Sequence, residues 1–148
     1  MRINTKKIIL VLFKAQWVYS ATLIWFILIF YACLKPASSF PKVLIPYLDK
    51  AVHFLMFFIA AILLLASQSL AHHERKISKM SLNTFLWVLF IGTGIELLQA
   101  TPYIERGFEW ADILFDVIGG IFGILFFLLF FRKHINYPKN VFEWPEDI

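Results

Sequence analysis

Four long apolar runs divide the 148-residue chain, with short polar connections between them. The runs cover residues 15–34, 51–71, 82–101 and 110–131, and a short tail of residues 132–148 follows them. Each run has about 20 residues, the length that an α-helix needs to cross the hydrocarbon core of a bilayer. The pattern predicts one all-α domain over residues 1–148, a polytopic membrane protein built as a compact bundle of four transmembrane helices.

The first run has a second interpretation. Arg2, Lys6 and Lys7 precede it, and basic residues before an apolar segment are typical of a secretory signal peptide. The run is longer than the usual core of a signal peptide, and no clear small-residue cleavage motif follows it. We therefore expect the segment to stay in the protein as its first transmembrane helix.

The composition excludes several other classes of protein. Hydrophobic residues make up 60% of the chain and charged residues 16%, whereas a soluble domain has about 45–50% apolar and about 25% charged residues. One cysteine excludes an intramolecular disulfide. The net charge of +4 does not indicate a nucleic-acid partner, because the basic residues cluster at the ends of the apolar runs.

The basic residues also predict an orientation. The N-terminal segment, the second connection and the C-terminal tail hold 10 of the 14 lysines and arginines, and the other two connections hold 4. Basic residues are enriched on the cytoplasmic side of membrane proteins. Both termini are therefore predicted to be cytoplasmic, and the connections 35–50 and 102–109 are predicted to face outward.

Polar residues inside the runs are informative, because a charged side chain at the bilayer centre costs about 2.5–3.5 kcal/mol. They form three pairs, spaced so that each pair shares one face of its helix: Asp49 with His53, Glu96 with Gln99, and Asp112 with Asp116. In the predicted orientation all three pairs fall in the outer half of the membrane, and the inner halves contain no acidic residue. We infer a single polar site that opens outward and includes Arg106 from the last connection.

Each of these residues also has a purely structural interpretation. Lys50 stands where a helix meets water, and a lysine there usually extends its amine to the interface. Glu96 would pair with Arg106 or His53 in a structural ion network. Asp116 would be a protonated carboxyl group bonded to a neighbouring helix.

One function that such a site supports is enzymatic action on an amphipathic, anionic substrate of the cell envelope. His53 would be the general acid or base and Asp49 would orient it, while Glu96 or Asp112 would be a second acid–base group or a metal ligand. Arg106 would hold an anionic group, since guanidinium binds phosphate or carboxylate bidentately. The candidate catalytic residues are His53, Asp49, Glu96 and Asp112, and the candidate binding residues are Arg106, Gln99, Asp116 and Lys50.

Two other functions stay open. The same residues would bind an anionic lipid head group, a peptidoglycan precursor or a glycopeptide without catalysis, because the three pairs contain no Ser or Cys nucleophile. Transport of a proton or small solute ranks below both, because the inner halves lack polar residues and no pathway therefore crosses the membrane. The acid–His and acid–acid pairs would also suit a divalent metal ion, although the established zinc motifs are absent from the sequence. Membrane lipids are the expected partners, and the oligomeric state is open.

The same residues resemble a known family. The motif D-K-A-V-H-F at 49–54 resembles the D-K-x-x-H-F signature of the VanZ-like family of bacterial membrane proteins. The residues E-L-L-Q at 96–99, followed by Arg106 and Asp112, are similar to its E-x-x-Q…R…D pattern. The glycines at 119 and 123 match those of the family, whereas Asp116 stands where the family often has Asn.

This resemblance covers residues 49–58 and 92–123. The family is named for an accessory protein of glycopeptide resistance that is linked to teicoplanin. The resemblance implies a multi-pass protein of the bacterial cytoplasmic (inner) membrane. The expected function is a link to glycopeptide (teicoplanin) resistance or to cell-wall or lipid substrates, and the resemblance does not supply a mechanism.

The predicted orientation is testable by cysteine labelling in intact cells. With Cys33 replaced by serine, a cysteine at Ser39 or Gly107 should react with a membrane-impermeant maleimide, because both positions lie in connections predicted to face outward. A cysteine at Ser78 should react only after the cells are permeabilised. Labelling at Ser78 in intact cells would overturn the orientation.

Overall fold

A computed structural model gives the fold as four α-helices: α1 (Thr5–Leu34), α2 (Leu48–Ala71), α3 (Ile77–Gln99) and α4 (Trp110–Phe130). The structure describes residues 5–36, 47–71, 75–104 and 106–131, with side chains from residue 15 onward. Most of the connection 35–50, including Ser39, and the tail 132–148 lie outside the described residues. Every regular element within the described residues is an α-helix, so the predicted all-α class is confirmed.

All four helices are long and apolar enough to cross a membrane. Large apolar side chains cover their outer surfaces; Leu23, Phe90 and Leu129 are each more than 60% exposed. An exposed surface of this kind suits lipid, and a helix satisfies its own backbone hydrogen bonds there. The predicted bundle of four membrane-length helices is confirmed.

Three helices begin earlier than the apolar runs that predicted them. α1 begins at Thr5, α2 at Leu48 and α3 at Ile77. Residues with good helix propensity, such as lysine and methionine, continue the backbone hydrogen bonding beyond the apolar core. As a result, Asp49 and Lys50 lie in the first turn of α2 and not in the connection before it.

The helix α2 is the centre of the bundle and contacts each of the other three helices. Its buried face contains Phe57, Ala60, Ala61 and Leu65, with the three- and four-residue spacing of one helical stripe. α4 packs most extensively against α2, α3 contacts both of them, and α1 lies against α2 and α3.

Two glycines let the backbones of α2 and α4 touch. A Cβ atom at Gly119 would collide with the carbonyl oxygen of Phe54. A Cβ atom at Gly123 would collide with the carbonyl oxygen of Phe58 and lie 2.9 Å from the Cβ of Ala61. This is the close approach that a G-x-x-x-G pattern permits. Because both contacts advance by four residues in the same direction, α2 and α4 run parallel and begin at the same end of the bundle.

Neutral polar side chains join the helices towards the other end of α2. The hydroxyls of Thr22 and Ser67 share a hydrogen bond of 2.8 Å. Gln68 donates to the Thr84 hydroxyl and accepts from Asn83, both at 2.8 Å. The expectation that this half lacks polar residues is wrong: several neutral ones are bonded to one another there, whereas the buried hydroxyls of Ser69 and Ser81 have no hydrogen-bond partner within the described residues.

Gly119→Ala should destabilise the protein by about 1–3 kcal/mol, the usual cost of overpacking, because the added methyl group forces α2 and α4 apart. Gly94→Ala is the matched control. Nothing lies within 4 Å of a Cβ atom there, so its higher helix propensity should leave stability unchanged or raise it by up to about 1 kcal/mol. Melting temperatures in detergent measure both variants, and equal values would contradict the helix contact.

Candidate functional site

The predicted polar residues converge at one end of the bundle, where α2 and α4 begin and α3 ends. Gln99 is buried, and so are four ionisable members: Asp116 is 1% exposed, Glu96 0%, His53 4% and Asp112 7%. Ionisable groups in such a setting are costly unless they are paired, face a cavity or bind something. The arrangement of their partners therefore decides what the cluster does.

A buried histidine–carboxylate pair lies at the centre of the cluster. His53 Nδ1 and Asp116 Oδ1 are 2.9 Å apart. The spacing in the sequence pointed to Asp49 as the carboxylate that orients His53, but Asp49 contacts Lys50 at the exposed edge. The reason is geometric: two residues four apart project from the same helix face, whereas the neighbouring helix α4 presents its carboxylate to the imidazole ring.

The second ring nitrogen of His53 faces another carboxylate. His53 Nε2 lies 3.9 Å from Asp112 Oδ2, which is too long for a direct hydrogen bond. An ionised carboxylate only accepts hydrogen bonds, so an ionised Asp116 keeps a proton on Nδ1 and leaves Nε2 of the neutral ring as an acceptor. His53, Glu96 and Asp112 each offer one ligand atom within 4.8 Å of the others. A base and two acids therefore share one small region.

Three buried carboxylate oxygens in the cluster accept no hydrogen bond from the described residues, and one of them, Asp112 Oδ1, forms an ion pair with the Lys50 amine instead. Glu96 Oε2 accepts a bond of 2.9 Å from the backbone N–H of Glu109, whereas Glu96 Oε1 accepts none. Asp116 Oδ2 also accepts none and lies against Gly92. Such oxygens are uncommon in native proteins, and they show where a proton, a water molecule or an ion would find a partner.

Lys50 is a cation of this cluster. Its Nζ lies 3.1 Å from Asp112 Oδ1 and also contacts the carboxylates of Asp49 and Glu109. Its side chain is only 11% exposed, because the amine lies among these three carboxylates. Sequence reasoning missed Glu109; its position directly before the fourth run, three residues from Asp112, was the available signal.

Gln99 and Arg106 complete the predicted set. Gln99 is buried, and its Nε2 donates to the backbone carbonyl of Cys33 at 2.8 Å, so it joins α3 to the end of α1. Arg106 is half-buried in the connection between α3 and α4. It lies close enough to Cys33 for an electrostatic interaction, as do Glu96 and Asp112. Arg106 therefore stands at the same end of the bundle as the acids, and Gln99 makes a structural bond there.

The helix dipoles support the acids unequally. Asp49 and Asp112 lie in the first turns of α2 and α4, where the partial positive charge of a helix N-terminus stabilises a carboxylate. Glu96 lies in the last turn of α3, where the partial negative charge of the C-terminus opposes it. Glu96 thus receives the least support from its own helix, and one of its oxygens also lacks a hydrogen bond from the described residues.

Gly92→Ala should disturb the His53–Asp116 pair. A Cβ atom at Gly92 would lie 2.7 Å from Asp116 Oδ2, so the carboxylate has to move. The imidazole nitrogen resonances of His53, measured by NMR on histidine-labelled protein, should shift in Gly92→Ala and stay in place in Gly94→Ala. An unshifted His53 in Gly92→Ala would show that Gly92 does not position Asp116.

Comparison with known proteins supplies the family. No curated protein and no solved structure matches the chain. A family model described as VanZ/LLP1 matches residues 1–131, a range that includes all four helices and every residue of the cluster. The family expected from the D-K-x-x-H-F and E-x-x-Q…R…D motifs is thereby confirmed, and the chain belongs to the VanZ/LLP1 family.

Proposed function

We propose that the protein is a membrane enzyme of the bacterial cell envelope, with His53 as its general base. One observation carries this proposal: the buried Asp116–His53 pair, with the carboxylates of Asp112 and Glu96 close to the same histidine. A structural ion pair needs one carboxylate for one cation. Further acids grouped around one imidazole are typical of a site that moves protons.

The geometry gives each residue of the pair a role. Asp116 accepts the Nδ1–H of His53, which fixes the tautomer and stabilises the imidazolium that forms during the reaction. Nε2 then takes a proton from a water molecule or a substrate hydroxyl as its oxygen attacks, and returns it to the leaving group. Asp112, beside Nε2, is placed to orient the attacking oxygen.

The depth of the site suggests the kind of substrate. His53 is five residues into α2, about 8 Å along the helix axis. A substrate with an apolar tail in the lipid and a reactive head group near the interface would reach this depth. In the proposed orientation the site opens to the outer leaflet, where lipid-linked cell-wall precursors and other anionic envelope lipids are exposed.

Recognition of an anionic group is assigned to Arg106. Arg106 lies at the same end of the bundle, and its guanidinium is suited to a phosphate or carboxylate. A link to teicoplanin resistance would follow if the enzyme altered a cell-wall precursor.

The second candidate is a non-catalytic binding protein for an anionic lipid, a peptidoglycan precursor or a glycopeptide. It is favoured by the absence, within the described residues, of a serine or threonine hydroxyl bonded to the cluster. Covalent catalysis then has no hydroxyl nucleophile, so the enzyme must use water or a substrate hydroxyl. Binding alone needs neither.

The test follows a lipid-linked peptidoglycan precursor in phosphatidylglycerol vesicles that contain purified protein. Wild-type protein should convert the precursor, as measured by mass spectrometry of the extracted lipids. His53→Gln should slow the conversion by at least about 100-fold, in the range for loss of general acid–base catalysis, because glutamine can still donate to Asp116 but cannot take a proton. Asn83→Ala is the control and should keep the wild-type rate, because Asn83 donates to Gln68 near the start of α3, far from His53.

The outcomes separate the candidate functions. An equal rate in wild type and His53→Gln would overturn the role of His53. Binding is the function if wild-type protein retains the precursor without converting it and the Arg106→Gln variant no longer retains it. A large fall in the melting temperatures of both His53→Gln and Arg106→Gln would identify a structural ion network, since breaking a buried pair costs about 3–5 kcal/mol.

A further inference from the structure

We propose that His53, Glu96 and Asp112 bind a divalent transition-metal ion of the zinc type. An ion on His53 Nε2 takes the lone pair that a general base needs, so in its presence the ion would replace His53 in activating water; this catalytic role rests on the proposed function, whereas the binding of the ion does not. The three residues come from three different helices and are all buried. An ion held here would join α2, α3 and α4 at the end where their polar residues meet.

The spacing of the donor atoms suits such an ion. The three ligand atoms all lie within 4.8 Å of one another, and His53 Nε2 is 3.9 Å from Asp112 Oδ2. Zinc bonds of about 2.0–2.2 Å place two ligand atoms about 3.4 Å apart at the tetrahedral angle and at most about 4.4 Å apart. Closing a separation of 4.8 Å to about 3.4 Å takes a movement of up to about 0.7 Å by each of the two atoms, and the coordination sphere so formed keeps a position open for water or substrate.

Each proposed ligand is already oriented by a partner. Asp116 bonds His53 Nδ1 at 2.9 Å, so that Nε2 is the free nitrogen; a carboxylate behind a histidine is the usual support of a metal-binding imidazole. The backbone N–H of Glu109 fixes one oxygen of Glu96. Lys50 lies 3.1 Å from Asp112 Oδ1, and the other oxygen of Asp112 faces His53. All three side chains therefore keep one donor atom for an ion.

The buried oxygens supply an independent reason. Glu96 is completely buried, yet Glu96 Oε1 accepts no hydrogen bond from the described residues. The C-terminal dipole of α3 adds a further penalty to its charge. Burial of a charge without a partner is costly. A divalent cation beside Glu96 and Asp112 would neutralise both carboxylates at once, and it would give an anionic substrate group an attractive partner in a site that is otherwise rich in acids.

The chemistry of the donors indicates the kind of ion. One imidazole nitrogen and two carboxylates suit zinc and similar first-row ions, whereas magnesium and calcium prefer oxygen ligands alone. A second group of acids, Asp49, Glu109 and Asp112, is also close together. Its members surround the Lys50 amine, which already supplies a positive charge there. The buried set is therefore the site.

The test is a zinc titration of the purified full chain in detergent, without a polyhistidine tag and after treatment with a chelator. The variant His72→Ala/His73→Ala serves as the background, because these adjacent histidines are a separate source of zinc ligands. A competing chromophoric chelator should report one equivalent of bound zinc. Cobalt in place of zinc should give the visible absorption of a nitrogen- and oxygen-ligated ion.

Three variants locate the ion. Asp116→Asn should weaken zinc binding about 10–100-fold, the usual effect of removing the support of a metal-binding histidine, and Glu96→Gln, which removes a direct ligand, should weaken it more. Glu109→Gln, which keeps the backbone N–H to Glu96, should stay within a few-fold of wild type. Circular dichroism and melting temperatures check folding, and Asp112→Asn replaces Glu96→Gln if that variant does not fold.

Two results would overturn the site. One is less than half an equivalent of zinc in the wild-type background. The other is wild-type affinity in Glu96→Gln together with loss of affinity in Glu109→Gln, which would place the ion on the exposed acids. Zinc binding without precursor conversion would contradict only the proposed enzyme. Full conversion by chelator-treated protein would contradict only the catalytic role of the ion.

Discussion

The backbone contact between α2 and α4 is the constraint on which the rest of the structure depends. Gly119 and Gly123 bring α4 against the carbonyl oxygens of Phe54 and Phe58, a distance that any side chain at those positions would prevent. The contact fixes the register and the rotation of two parallel helices. It places His53, one residue before Phe54, opposite Asp116, one helical turn before Gly119. Without this approach the imidazole and the carboxylate, which stand on separate helices, would be farther apart than the 2.9 Å of their present contact.

The same contact explains why this end of the bundle tolerates buried charged side chains. Two helix N-termini meet there, and their dipoles favour the acids of the first turns. Lys50 then neutralises the part of the cluster nearest to the interface. Support decreases with depth, because Glu96 lies against a helix C-terminus, and Glu96 Oε1 and Asp116 Oδ2 receive no hydrogen bond from the described residues. In a network that served only to hold the helices together, we expect the deepest carboxylates to be fully hydrogen-bonded. Here Glu96 and Asp116 each keep an oxygen without a hydrogen bond from the described residues.

The helices and the polar residues of each helix face could be predicted from the sequence. The contacts between helices could not, because they depend on which faces meet. Hydrophobic runs give the number and class of the helices directly, because a membrane span is a matter of length and polarity. The three- and four-residue spacing of the polar pairs showed which residues share a helix face. It did not show which faces meet, so Asp49 was matched to His53 when the neighbouring helix supplies Asp116. The burial of Lys50 was missed because it depends on Glu109 and Asp112 of another helix.

The two ends of the bundle differ in the kind of polar contact that joins their helices. At one end neutral groups make short hydrogen bonds, such as those between Thr22 and Ser67 and between Gln68 and Thr84, about 20 Å along α2 from His53 by the helical rise. Neutral bonds of this kind fix the rotation of α1 and α3 against α2 without the desolvation penalty of buried ions. The apolar core between the two ends adds the packing of Phe57, Leu65 and their neighbours. Because these parts hold the helices in place, the charged end can keep incompletely bonded carboxylates close to one imidazole, which is the condition that a working site requires and a structural scaffold avoids.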